Sequence, residues 1–448
     1  MRRQLCHARF TKAVVVGCTA LTLAVTSAGA AGAAPGKAGP ARQVLPQNDG
    51  WAAADGGTTG GAAADAAHVY TVDTWAELKA AVGDGDGTPR VIRVEGTLDA
   101  NSDAEGEPLS CADHATDGYT LEGYLAAYDP ATWGTAEPSG AMEDARVASA
   151  ARQASRIRLD IGSNTTLVGV GDDARLLGAN VQIRGVDNVI VRNLTFEDTF
   201  DCFPQWDPTD GDEGAWNSEY DSLVVHGATH VWADHNTFTD GRRPDAAQPR
   251  YFGQLFQQHD GQLDVVRGAD LVTASWNVFA DHGKTILIGN SDGAGATDSG
   301  RLRVTLHHNL FRDTGERTPR VRFGRVDVYN NHHLVKDAEA FGYAYGVGRE
   351  SAIFAEKNHF TLPASVSAGD VLHKWSEAPI TAEDNFVNGA EADLIAAHNA
   401  ENPHALLRPD AGWSPELRAR VDETGDVPGL VRRWAGAGQL DEREPRES

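Results

Sequence analysis

From Val168 onward the sequence repeats one short phrase. β-Branched runs recur as NVIVRNLTF, HVWADHNTF, DLVTASWNVF, LRVTLHHNLF, VDVYNNHHL and SAIFAEKNHF. Each carries an asparagine shortly before an aromatic or apolar residue: Asn193, Asn236, Asn277, Asn309, Asn331, Asn358 and then Asn385. The intervals run from 22 residues (Asn309 to Asn331) to 43 (Asn193 to Asn236). That is too irregular for a propeller or a helical solenoid, but it suits stacked coils of which some carry inserted loops. Asparagine is a poor strand residue, so its recurrence needs a cause. With strands ~4.8 Å apart in a solenoid, equivalent asparagine side chains can hydrogen-bond up and down a ladder. Phe196, Phe238, Phe279 and Phe311 would then stack in the interior. The pattern predicts an all-β chain, a single-stranded right-handed parallel β-helix. A β-sandwich with asparagines in its turns is the other arrangement it admits.

The ends of the chain read differently. Arg2, Arg3, Arg9 and Lys12 precede an apolar run from Ala13 to Val25 and the small residues Ala28-Gly29-Ala30. This is the form of an export signal over residues 1–30, too short to span a bilayer as a helix. Arg2-Arg3 lacks the usual twin-arginine context, so the export route stays open. Residues 31–66, rich in Gly, Ala, Pro and Thr, read as a disordered linker. The segment WAELKAAV, Trp75 to Val82, has helical spacing and would cap the solenoid. Residues 101–151 form a loop-and-helix insertion, and a further helical turn is expected near Pro415 to Val421. The β-helix domain is taken to run from 67 to 440, ahead of a charged tail at 441–448. Once the signal is removed, Cys111 and Cys202 are the only cysteines. A disulfide and two buried thiols are both compatible with that pair.

Chemistry concentrates in RTPRVRFG. Arg317, Arg320 and Arg322 crowd around Pro319 in a chain of formal net charge −25. Such a cluster repels itself unless an anion, or an anion with a metal, stands before it. Acidic residues at strand spacing lie upstream: Glu219 with Asp221, and Asp260 with Asp264 in QQHDGQLD. Positions two or four apart share a strand face, so each pair points one way. Converging carboxylates call for a cation, and all-oxygen ligation selects a hard ion such as Ca²⁺. Lys284, in DHGKTILIG, falls one coil before the arginines. The acidic excess argues against nucleic acid and anionic membranes as partners. The histidines at 226, 230, 235, 259, 282, 307, 308, 332 and 333 are spread over many coils and read as structural. Trp206, Trp216, Trp232 and Trp276 could serve as sugar platforms but read as packing.

These residues closely resemble the pectate lyases of polysaccharide lyase family 1, especially the bacillus-type secreted enzymes. The likeness runs from about residue 67 to 440. HVWADHNTF stands where the family has WIDH, with Ala233 in place of isoleucine. FPQWDPTDG, YFGQLFQQHDGQLD, LHHN and RTPRVRFG also look like family segments. The resemblance implies a secreted, Ca²⁺-dependent enzyme that cleaves polygalacturonate by β-elimination, and with no sequence feature pointing to an oligomer a monomer is expected. It places the calcium ligands on Asp221, Asp260 and Asp264, with Glu219 as a ligand in some members. It makes Arg317 the base, Arg322 a second essential arginine and Lys284 a substrate-carboxylate lysine. Neighbouring cations are expected to push the Arg317 pKa down. Three rivals are a calcium-independent pectin lyase, a β-helical hydrolase with paired acids, and a polysaccharide-binding β-helix that would have no reason to keep the three cations.

Overall fold

The computed structural model describes residues 39–440 apart from 84 and 104. The export signal, residues 31–38 and the charged tail lie outside the described residues. The chain visits three sheets in turn: Asn180–Arg184, Asp187–Arg192 and Thr195–Glu197 make one coil, and Leu223–His226, Thr229–Asp234 and Thr237–Thr239 make the next. Each strand pairs in parallel with its counterpart one coil on, giving sheets of ten, eight and ten strands. The result is a parallel β-helix. Alternation along each strand sends residues such as Leu223, Val225, Leu263 and Val265 into a shared core, where they are fully buried.

The asparagine ladder closes one corner of each coil. Asn236 donates its backbone N–H and its side-chain Nδ2 to Asn277 Oδ1, at 2.9 and 3.1 Å. Asn277 does the same to Asn309, Asn309 to Asn331, Asn331 to Asn358 and Asn358 to Asn385. The residue just before each rung turns the corner at positive φ: His235 (51°), Trp276 (55°), His308 (56°), Asn330 (52°), Lys357 (55°) and Asp384 (53°). That conformation costs a non-glycine residue about 1–2 kcal/mol. The paired amide bonds of the rung behind it offset this cost.

Asn193 departs from the expectation. It occupies the corner position itself (φ 57°), one residue early, and Leu194 stands in the ladder, its N–H donating to Asn236 Oδ1 at 3.2 Å. The freed Asn193 side chain instead holds the C-terminal segment, accepting from Gly438 N–H at 2.9 Å. Inside, Phe196, Phe238, Phe279 and Phe311 stack at 4.7 to 5.2 Å, and the column continues through His333 to Phe360. Burial drives the His333 pKa far down, so its ring stacks as a neutral aromatic.

The stretch from residue 39 to 66 is not a disordered linker. It crosses the outer face of the first ten-stranded sheet. Trp51 N–H donates to Thr305 Oγ1, Ala52 N–H to Thr273 Oγ1, and Gly61 N–H to Thr166 Oγ1. Thr59 and Gly60 both donate to Asn188 Oδ1. Its small residues permit close approach: a Cβ on Gly61 would sit 1.8 Å from the Arg90 carbonyl oxygen. Its own Ala41, Leu45, Ala52 and Ala64 are buried against the sheet.

A helix stands at Trp75–Ala81 and buries Trp75, Leu78 and Ala81. The insertion folds as four helices, the longest Ala141–Ile157, and Cys111 is bonded to Cys202 with an S–S distance of 2.05 Å. Trp206 and Trp216 pack between these helices and the coils, 1% exposed each, so neither is a sugar platform. Trp232 is equally enclosed, and Trp276 stacks on His308. The C-terminal helices are Leu394–Glu401 and Val427–Trp434, not the turn expected near 415–421.

Candidate active site

Two buried neighbours, Leu263 and Val265, force Asp264 to the outer face of the eight-stranded sheet. The same alternation turns Arg320 outward beside buried Val321. Strand register lines up Arg320 with Leu287 on one side and Gly346 on the other, and Gly346 with His373. Leu287 N–H in turn donates to Asp264 Oδ1 at 3.1 Å. One row therefore runs from an acid to an arginine across neighbouring coils.

Asp221 enters from the loop before Leu223, its Oδ1 accepting from Gly261 N–H at 2.9 Å. A Cβ on Gly261 would lie 2.3 Å from Asp264 Oδ1 and 2.8 Å from Asp221 Oδ1. Only glycine leaves room for both carboxylates. Burial, then the charges of Asp264 and Asp260, raises the Asp221 pKa well above the usual carboxylate range. Burial and Asp260 lift Asp264 to about 7. Asp260 and Asp264 thus oppose ionisation of Asp221, and Asp260 opposes that of Asp264. Among the described residues, the oxygens of these three acids do not all fall within 4.8 Å of one another. Glu219 is exposed, and its recorded neighbour is buried Asp201, whose Oδ2 accepts from Glu219 N–H at 3.2 Å.

The trio whose ligand atoms do meet within 4.8 Å is Asp240, Asp245 and His259. Its His259 directly precedes Asp260 in the chain. His259 donates from Nδ1 to Asp245 at 3.0 Å and from Nε2 to Asp198 at 3.2 Å. Burial opposes protonation, but those two bonds outweigh it and raise its pKa to about 10. With both nitrogens protonated, the imidazolium itself neutralises the acids. His282 repeats the arrangement between Asp240 (2.7 Å) and the Lys284 carbonyl (3.0 Å). These two histidines are structural cations that brace the backbone on which Asp260 and Lys284 stand.

Lys284 ends the strand Val278–Lys284, in register with Glu316. It has no carboxylate within 4.0 Å among the described residues. Arg317, half-buried at φ 61°, donates Nε–H to Glu316 Oε1 at 2.9 Å. Burial lowers its pKa, but Glu316, Asp264, Tyr343 and Asp260 together reverse this and raise it. Among the protein's own groups carboxylates, not cations, dominate its surroundings, so the expected downward push would have to come from a bound Ca²⁺. Arg322 donates to Asp292 Oδ1 at 2.6 Å and to the Gly289 carbonyl at 2.8 Å. Sequence reasoning missed Glu316, although it directly precedes Arg317. A concavity of about 770 Å³, lined by Phe354, Asp384 and Trp413, lies near the C-terminal end, and none of the acids or cations above borders it.

Comparison with known proteins agrees with this geometry. A model of the pectate lyase family matches residues 25–120 and 134–405. A pectate lyase of Bacillus subtilis (strain 168) is 42% identical over 426 residues, 94% of this chain and 98% of that protein. Pectate lyase E of Dickeya dadantii is 34% identical over 409 residues, 88% of this chain and 89% of that one. A solved pectate lyase bound to hexasaccharide superposes with a TM-score of 0.86 at 42% identity, covering 90% of this chain and all of that one (100%). Fold and relatives together define a polysaccharide lyase built on a parallel β-helix. The chain belongs to the pectate lyase family.

Proposed function

We propose that this protein is a secreted, calcium-dependent pectate lyase that cleaves polygalacturonate by β-elimination. The convergence of Asp221 and Asp264 over Gly261 carries the reading. All the donors are hard carboxylate oxygens, which suit Ca²⁺ better than zinc. Burial and mutual charge oppose ionisation of Asp221 and Asp264, and a bound cation would relieve both. The residues fit the ion: Asp221, Asp260 and Asp264 would hold it, with exposed Glu219 as a further ligand. When bound, the ion supplies positive charge that attracts a uronate carboxylate and acidifies the C5 proton beside it.

Lys284, free of ion pairs, and Arg322, which keeps N–H groups beyond those given to Asp292 and Gly289, would take the uronate carboxylate. Arg317 removes the C5 proton. The electron pair of that bond forms the C4–C5 double bond, and the C4–O4 bond breaks, its oxygen leaving with a proton from solvent. A guanidinium has no lone pair free to accept a proton, so it must first be deprotonated. Two of the acids that keep Arg317 protonated, Asp264 and Asp260, belong to the ion's ligand set. Base and metal site are thus coupled, and activity rises into the alkaline range.

The relatives' names support pectate as the substrate, and the basic, apolar and small-residue N-terminus supports export. A pectin lyase acting on esterified polymer would gain nothing from Asp221 and Asp264 meeting over Gly261. The test is ultraviolet absorbance on polygalacturonate at alkaline pH, with Ca²⁺ and then with excess chelator. A rise that chelation abolishes is expected. New reducing ends without absorbance would mean hydrolysis and overturn the reading, as would a rise indifferent to the chelator.

A further inference from the structure

Among the three arginines of RTPRVR, one lacks a counter-ion. Arg317 has Glu316 at 2.9 Å and Arg322 has Asp292 at 2.6 Å. Arg320 has no carboxylate within 4.0 Å among the described residues, and its buried Nε has no hydrogen-bond partner. Glu316 acts on Arg320 only at longer range. Its guanidinium carbon instead lies 3.9 Å from the ring centroid of Trp375, which is 46% exposed. His373 stands 4.5 Å from the same ring, and Tyr343 6.2 Å.

Gly346 makes this arrangement possible. It lies between Arg320 and His373 in the outward row, where a Cβ would come within 3.0 Å of Arg320 Cγ and 2.9 Å of Tyr343 Cε2. The missing side chain lets Arg320 lie down across the sheet toward the indole. A surface Arg–Trp pair is often packing alone. Here the cation is half-buried, beside two further arginines and without an acid, which packing does not require.

We propose that Arg320 and Trp375 form a second uronate subsite, for a sugar of the polymer beyond the one being cleaved. The free edge of the guanidinium takes that sugar's carboxylate. The indole holds the guanidinium in place and offers its exposed surface to the pyranose C–H groups. Arg320 lies two strands from Asp264, about 10 Å at ~4.8 Å per strand, so the occupant is a separate residue of the chain. The proposal rests on the lyase reading.

Initial rates on polygalacturonate test it, using wild type, Trp375→Ala, Trp375→Phe and Arg320→Gln. Trp434→Ala is the control: Arg433 lies 4.8 Å over that ring, 45% exposed, on the C-terminal helix away from the site. Trp375→Ala and Arg320→Gln should each raise KM about three- to tenfold with kcat within about twofold. Trp375→Phe should hold KM within about twofold, and Trp434→Ala should leave both constants unchanged. A KM for Trp375→Ala equal to wild type, or moved as much by Trp434→Ala, overturns the subsite while the lyase stands. Wild type that yields no ultraviolet-absorbing product overturns the lyase reading and the subsite with it.

Discussion

The same coils present two outward faces that have been treated in opposite ways. On the first ten-stranded sheet, the segment from Gly39 to Ala66 lies over Thr166, Asn188, Thr273 and Thr305 and satisfies them one by one. On the eight-stranded sheet nothing of this kind answers Asp221 and Asp264, whose pKa values are raised, or Arg320, which lacks an acid. Only short supports reach that face: Gly261, the Leu287 amide and the two imidazolium ions. On the first face the covering segment takes up the hydroxyl and amide groups beneath it. The other holds unpaired charge of both signs, a few strands apart, which stability alone does not explain. Unpaired charge fixed on a rigid scaffold is what binding and catalysis use.

Substitutions should separate the two faces. Arg317→Ala should lower kcat on polygalacturonate about 10³-fold, with Tm within a few degrees of wild type. Equal losses of activity and Tm would erase the distinction. Asn277→Ala leaves Asn236 N–H and the Ala233 carbonyl without their partners in a dry corner. It should cost about 3 kcal/mol in chemical denaturation while kcat of the folded protein stays near wild type. Gly61→Ala drives a Cβ against the Arg90 carbonyl beneath the covering segment. A loss of about 2 kcal/mol is expected, again without change in KM. A shift in KM there would mean that the covered face communicates with the working one.

The smallest effect has the opposite sign. Asp264 titrates near 7 in the folded protein, against 3.8 without perturbation. The contribution of this acid to stability is therefore greatest where it is protonated and is lost as pH rises from about 4 through 7. Asp264→Asn keeps an oxygen to accept from Leu287 N–H and removes the charge. It should stabilise the metal-free protein at pH 8 by on the order of 2 kcal/mol, and hardly at all at pH 4.

The two faces were not equally legible. Six ladder asparagines and a phenylalanine column announce themselves because a repeated, disfavoured residue needs a repeated hydrogen bond. The slip at Asn193 was hidden, since asparagine suits both the positive-φ corner and the rung beside it. The covering segment was misread because glycine and alanine serve a loose tether and a close approach equally well. On the working face, the acids and cations stood out by type and spacing. The direction of the Arg317 shift did not, because it depends on how near Glu316, Asp260 and Asp264 come in space. Trp375 carried no signal until Gly346 and Arg320 were found in one row.

The most direct test of the central claim needs no substrate. Wild type and Asp264→Asn are melted at pH 8, first with excess chelator and then with Ca²⁺. Unpaired acids awaiting a cation predict that Asp264→Asn melts above wild type in chelator, and that Ca²⁺ raises wild type well but the variant little. A wild type indifferent to Ca²⁺, or a variant that melts below it in chelator, would contradict the account.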